Sequence, residues 1–393
     1  MTARALPKKK RDWSLRSRAV RGLLYQVMAL GLIVLAVWFL AHNTLENMRV
    51  RGIQSGFDFL KGPAGFDIGE LPIPYDALDP YWKAFLIGVL NTLRVAVIGI
   101  VMTTIIGTLV GIGRFSHNAI VRGLCYGYVE LFRNVPILLQ LLTWYLLLTE
   151  WLPDPGEPLS LFGLFFLSKG GFTFPVPVWG LGQALAGIGA LMGLTAGWLW
   201  ARWARQRFEQ TGQARPILLP ALAMVIVAAL AGWLAGGAPT AWKLPTVSDV
   251  SVDGGSAFTP EFISVLLGLT FYTAAFVAEV VRAGIQSVPR GQSEASNALG
   301  LSRGHQMRLV VLPQALRVII PPMTNQYLNL TKNSSLAVAI GYPDVVSISN
   351  TAINQTGRAV ECIAIIMLVY LTTSLTTSGV MNWYNQRAAI KER

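Results

Sequence analysis

Apolar residues in this chain come in long unbroken runs rather than in the short alternating or three-and-four patterns of soluble elements. Eight runs stand out, near 23–41, 84–112, 124–149, 178–201, 217–236, 260–285, 316–340 and 359–383. Each approaches or exceeds the roughly 20 residues a helix needs to cross a bilayer. The pattern predicts eight spanning helices and an all-α polytopic membrane fold. Between the first two runs, residues 42–82 are acidic and rich in Pro and Gly, which predicts irregular chain with at most a short surface helix. Residues 150–177 carry five prolines and three acids and are expected to form another external loop.

Composition agrees with the pattern. The chain is 53% hydrophobic and only 13% charged, with a mean hydropathy of +0.50, where soluble domains carry roughly 25% charge. The formal charge of +12 does not point to nucleic acid, because of where the charge lies. Eight basic residues precede the first run, and with an inside N-terminus the inside segments hold 22 of the 32 Lys and Arg, the outside segments 6. That asymmetry predicts both termini in the cytoplasm. The first run is too long for a signal-peptide core and is read as a retained anchor. Cys125 and Cys362 fall in separate apolar runs and are expected to be packing residues.

The runs are not equivalent. The fourth and fifth hold no interior charge, and the Gly positions of the fourth predict close helix packing. The loop between them, Arg202-Trp203-Ala204-Arg205-Gln206-Arg207, reads as an interface anchor, with lipid recognition a minor option. Ionisable groups inside spans are costly, so the few present are candidates for function. Glu130 and Arg133 are three apart on one predicted helix face and can pair, and Pro136 beside them can kink the helix. Two readings stand side by side: a polar patch on a translocation route, or internal charge neutralisation near the inner interface. Glu279 lies in the inner half of the sixth run. In the seventh, Asn329, Lys332, Ser334 and Ser335 are expected to line a cavity, since a mid-span lysine needs a partner or water. Arg94 and Glu361 lie nearer span ends and are expected to be structural.

No HExxH or GxSxG pattern occurs, the three His have no ligand spacing, and no catalytic or metal site is predicted. There is also no GxxxxGK[ST], so the chain has no P-loop of its own. A gradient-driven secondary transporter, the alternative reading, typically shows matching halves or repeats, and none is visible.

One polar, basic island of about 30 residues lies between the sixth and seventh runs. It contains Glu294-Ala295-Ser296, then Gly300 after Ala298 and Leu299, then Val310-Val311-Leu312-Pro313. This resembles the EAA loop of ABC-importer permeases, with Ser296 in place of the third-position alanine and Val310 in place of the isoleucine. The segment 128–136, YVELFRNVP, is similar to the YVELFRNTP segment of the polar amino-acid permeases, as are 278–288, Leu312-Pro313-Gln314-Ala315, Pro321-Pro322 and 332–336. Together these cover 84–150 and 258–385. Within that family the chain resembles the larger permease subunit of general L-amino-acid importers.

The resemblance implies a type I ABC-importer transmembrane domain of about eight helices, in which runs 2, 3, 6, 7 and 8 form the five-helix core. The chain then divides into 1–82 (basic tail, anchor and acidic external segment), 83–150 (first part of the core), 151–257 (inserted loop with an extra hairpin) and 258–393 (second part of the core with the coupling loop). It further implies a non-enzymatic subunit of the bacterial inner membrane, importing amino acids by alternating access. Its expected partners are two ABC ATPase subunits that use ATP and Mg, a homologous second permease subunit, a periplasmic amino-acid-binding protein and the lipid bilayer. By the same resemblance, Glu294, Ala295, Ser296, Ala298, Leu299, Gly300 and Pro313 belong to the ATPase-coupling element.

Overall fold

The computed structural model describes residues 18–50, 52, 55–213 and 215–388. Most of the N-terminal basic tail and the last basic residues, Lys391 and Arg393, lie outside them.

Twelve helices and eight short strands follow one another among the described residues. Those long and apolar enough to cross a membrane as single helices are α1 (Arg18–Val50), α2 (Tyr81–Gly113), α5 (Leu181–Thr211), α6 (Leu218–Ala235), α7 (Pro260–Gln286) and α12 (Ala359–Ala388). Two bent pairs pass the same test. The helices α3 (Ala119–Asn134) and α4 (Ile137–Glu150) meet at 107°, and the unit from Arg303 to Ile340 meets α11 (Val345–Thr356) at 50°. With each pair counted once, the eight runs have eight counterparts.

The predicted third span, 124–149, is therefore not one helix. Pro136 has no N–H, which frees the Phe132 carbonyl and ends α3. Gln140 repairs the break: its side-chain amide donates to Phe132 O at 2.9 Å and to Val135 O at 2.8 Å. The seventh run also differs from the expectation. Its α-helix, α10 (Leu312–Asn333), tightens into a 3-10 turn over Ser334–Ile340, and the chain then forms α11 instead of an external loop. Asp344 caps α11 by accepting from Ser347 N at 2.8 Å.

The core is built on α2 and α7, which pack along their lengths against each other and against α10, α11 and α4. Three clusters of buried side chains fill it, one at the start of α2 around Phe85, Ile87 and Ile348, one around Phe262, Leu269 and Leu330, and one around Val277, Ile319 and Tyr327. Residues 42–50, also expected to be irregular, continue the helix α1, whereas from residue 55 on the segment before α2 is irregular, as expected, with one 3-10 turn at Asp58–Lys61. It is strapped to the core rather than loose. Arg94 donates to the buried Glu70 carboxylate at 2.6 Å, and Arg358 reaches Asp58 at 3.2 Å. The Gly56 N–H donates to Glu361 at 2.6 Å. These ties give Arg94 and Glu361 structural positions.

Residues 151–257 hold more order than the sequence pattern suggests. Strands β1 (Leu159–Leu161), β2 (Phe165–Ser168), β3 (Gly171–Phe174) and β8 (Ser256–Phe258) form one antiparallel sheet in the order β1-β2-β3-β8, while β4 (Val176–Pro177) pairs with β5 (Trp242–Lys243) and β6 (Thr246–Val247) with β7 (Val252–Asp253). The sheet is a small addition to a helical membrane fold. Between β3 and β8 runs the α5–α6 hairpin, whose glycines let the two backbones touch: a Cβ on Gly189 would lie 2.1 Å from the Ala228 carbonyl oxygen. The small-residue run is a packing face, as its composition predicts.

Candidate coupling site and polar face

The polar island folds as a connector across the ends of α7 and α10. After α7, Pro289 opens α8 (Arg290–Ala298), a polar helix lying outside the apolar runs. Gly300, at φ +72°, reverses the chain in a conformation that a side chain would strain. The turn is closed by Gly300 N donating to Asn297 O at 2.9 Å and Leu301 N to Ser296 O at 3.1 Å. Ser302 then caps α9 (Arg303–Gln306), a π-helical turn follows over Met307–Val311, and α10 begins with Pro313 in its first turn, where a missing donor costs little.

The connector is locked by hydrogen bonds on one face and open on the other. Ser296 is buried and donates to Ser293 O at 2.9 Å, and the Gln306 amide donates to the same carbonyl at 2.9 Å. Gln314 reaches back to Gln292 at 3.4 Å, tying the start of α10 to α8. Glu294, Ala295, Ala298 and Leu299 are exposed. Leu299 is 80% exposed, and Glu294 has no ion-pair partner among the described residues. A small-residue face with one free carboxylate and one projecting leucine is therefore presented on a rigid mount. The Ser296 position explains itself: a buried hydroxyl can satisfy itself on the helix's own carbonyl where an alanine would make no such bond.

The two helices that carry the connector, α7 and α10, meet directly above it. Gly284 lies against Ala315 and Ile319, with room for no side chain.

The predicted pathway residues divide into two groups that the structure does not join. Near the connector end of α7, Glu279 gathers three arginines from three helices: Arg282 one turn along α7 and Arg114 at the end of α2 both donate to it directly, and Arg133 of α3 stands 3.9 Å away. The expected Glu130–Arg133 pair does not form. Arg133 turns toward Glu279 over the Phe276 ring, 5.3 Å from its centroid, while Glu130 accepts from Asn134 at 3.3 Å. A stronger, multiply shared carboxylate has outcompeted the local one. Arg114 is a member of this cluster that sequence reasoning missed, although its place directly after a span was a signal.

At the other end of α10, Asn325, Asn329 and Lys332 lie one or two turns apart on one exposed face. The Lys332 ammonium has no protein partner among the described residues. Ser335 is half-buried and donates to Lys332 O at 2.8 Å. Ser334 departs from expectation: it is buried, donates to Thr331 O at 2.7 Å, and faces the core instead of the open side. Its hydroxyl is occupied in ending the helix.

The chain has known relatives. Residues 186–390 match the model of the family described as "Binding-protein-dependent transport system inner membrane component". The chain belongs to this family. It is 46% identical over 385 residues to the "General L-amino acid transport system permease protein AapQ" of Rhizobium johnstonii, covering 97% of this chain and 96% of that protein. It is 44% identical over 386 residues to the "Putative amino-acid ABC transporter permease protein YhdX" of Escherichia coli K12, covering 98% of each. Against the "Glutamate/glutamine/aspartate/asparagine transport system permease protein BztB" of Rhodobacter capsulatus it is 38% identical over 407 residues, covering 95% of each. The permease is thus an integral inner-membrane component of an ABC importer, with the type I transmembrane-domain fold and with ATP hydrolysis located in a partner subunit. Family membership sets aside the gradient-driven alternative.

Proposed function

We propose that this permease is the larger of two homologous subunits that together form an amino-acid pathway, and that two ATPase subunits drive it through α8. The single observation that carries the coupling role is the exposed Glu294–Leu299 face of α8 on its locked mount between α7 and α10. Ala295 and Ala298 admit a close partner surface, and Glu294 offers a carboxylate to a basic group in it. ATP and Mg belong to the partner. Closure of the ATPase pair would move α8 and, with it, the helices it joins.

The amino-acid cargo is supported by the printed names of the relatives and by the exposed Asn325–Asn329–Lys332 face, whose amides and ammonium suit a carboxylate-bearing solute. A second permease subunit is supported by that same face and by α1, whose apolar side chains from Leu23 to Leu40 are exposed. A periplasmic binding protein would deliver cargo at the strapped end before α2, and the charge asymmetry supports placing both termini on the cytoplasmic side.

The test is Glu294→Lys in the tagged chain, expressed with its partner subunits. Reversing one interface charge is expected to weaken ATPase co-purification and amino-acid uptake roughly tenfold or more, with membrane insertion unchanged. Normal co-purification together with normal uptake would refute the coupling assignment.

A further inference from the structure

The α5–α6 hairpin has a feature that neither coupling nor pathway uses. One side of it is an open apolar groove of about 560 Å³, lined by Met192, Gly193 and Ala196 of α5 and by Pro220, Met224 and Val227 of α6. Its lining runs along α6 from Pro220 to Ala231. At 1.5 Å per residue that is about 16 Å, close to the depth of one leaflet's hydrocarbon.

The groove ends at a built cationic mouth. On α5, Trp200 and Trp203 follow Ala196 at three- and four-residue spacing and so continue the groove face. Their rings lie 4.9 Å apart, and the Trp200 indole N–H donates to Pro216 O at 3.2 Å, which ties the pair to the approach of α6. Arg207, one turn further along, places its guanidinium 5.5 Å from the Trp203 ring centroid, and Arg215, from the connecting loop, places its own at 5.8 Å. Both arginines are exposed, and neither is paired with a carboxylate among the described residues. A guanidinium laid on an indole keeps its N–H fork available for a phosphate. Simple anchoring asks only that each arginine reach water. It does not require two of them to converge on one ring at the mouth of a leaflet-deep groove. Arg202 and Arg205, by contrast, lie on the opposite side of α5 by helical spacing.

We propose that the groove holds one anionic phospholipid, with its phosphate between Arg207 and Arg215 and an acyl chain along Ala196 and Met224. A helix of another subunit is the rival occupant, because small residues also suit helix packing. Two unpaired guanidiniums at the mouth favour the phosphate, since a helix would have to supply acids there.

The test uses the tagged chain with its co-purifying subunits in phosphatidylcholine nanodiscs containing phosphatidylglycerol, read by native mass spectrometry. The unaltered complex is expected to retain one phosphatidylglycerol per copy of this chain in preference to phosphatidylcholine. Arg207→Gln with Arg215→Gln is expected to weaken retention about thirtyfold, roughly fivefold for each charge near the lipid surface. Arg202→Gln with Arg205→Gln removes the same charge from the other side and is expected to leave retention intact. Ala196→Leu fills the exposed groove without touching charge and is expected to expel the lipid. Equal loss in the two double variants, or no preferential retention at all, overturns the proposal. So does a photoreactive residue at position 196 that labels polypeptide instead of lipid.

Discussion

Gly284 sits near the end of α7, where that helix crosses α10 directly above the connector. A methyl group at this position would stand 2.2 Å from Ile319 Cγ1, 2.9 Å from its Cδ1 and 3.2 Å from the Ala315 carbonyl oxygen. Ile319 is 6% exposed and Ala315 fully buried, and whether the isoleucine turns into the core or into the cavity of about 650 Å³ that it lines, it must leave its present packing. Gly284→Ala must then part the helices or force Ile319 from its rotamer, at a cost of about 1–3 kcal/mol. Ile319→Ala alone leaves a cavity and is expected to cost about 2–5 kcal/mol. In the double variant the new methyl occupies part of the space that the isoleucine vacates. The pair is therefore expected to cost less than the sum by about 0.5–3 kcal/mol. Thermal unfolding of the purified complex measures the three differences. ATP hydrolysed per molecule imported in proteoliposomes measures the consequence, because a parted α7–α10 contact no longer holds α8 square to both helices. Gly284→Ala at full stability, or strictly additive costs in the double variant, would refute the reasoning.

Glu279→Gln leaves Arg114 and Arg282 facing each other without their shared carboxylate. Removing one partner of a buried pair costs about 3–5 kcal/mol, and since Glu279 is 26% exposed the expected loss is about 2 kcal/mol. Thermal unfolding should show it, with partial recovery on adding Arg114→Gln. Lys332→Gln removes an exposed charge with no protein partner, so assembly should be unchanged while uptake falls roughly tenfold, the worth of one charged hydrogen bond to a solute. Uptake kinetics beside quantitative co-purification decide it. Pro321→Ala with Pro322→Ala restores two backbone donors inside α10, and each hydrogen bond gained is expected to contribute about 0.5–1.5 kcal/mol. The variant should be at least as stable as the parent by thermal unfolding and slower in transport.

The spans were legible because a run of apolar residues leaves a membrane chain few alternatives to helix. What escaped was decided by contacts distant in sequence or by local repair. Pro136 advertised a bend, but its 107° depends on Gln140 reaching back to the carbonyls the proline had freed. The helix α11 escaped because its apolar side packs on Gly88 of α2, whose Cβ would lie 2.9 Å from Val345 Cα, a contact no local pattern announces. The strands around the hairpin escaped because prolines mark turns without saying which segments will pair. For the site, the connector was readable because its small residues, one acid and a glycine resemble the EAA loop in their spacing. The Glu130–Arg133 pair was misjudged, since helical spacing permits a pair and says nothing about a better carboxylate on another helix.

The connector hangs from two helices of unlike stiffness, and that difference shapes what a push on α8 can do. The helix α7 is an uninterrupted run of 27 residues, buried along much of its length against α2, α4 and α10. The helix α10 is entered through a π-helical turn at Met307–Val311 and carries Pro321 and Pro322 in its interior. At both places the regular hydrogen-bond ladder is altered or missing, so bending there costs less than elsewhere in either helix. On the proposed coupling role of α8, a displacement of it would tilt α7 as a body, together with the helices packed on it. In α10 the same displacement would be taken up as a change of angle between the connector and Asn325. The Asn325–Asn329–Lys332 face lies beyond that joint, so it would re-aim relative to α7 instead of merely travelling with it. If that face is the proposed solute site, such re-aiming is the kind of change that alternating exposure needs, and two weak points in one of the two helices offer a way to produce it from a single push.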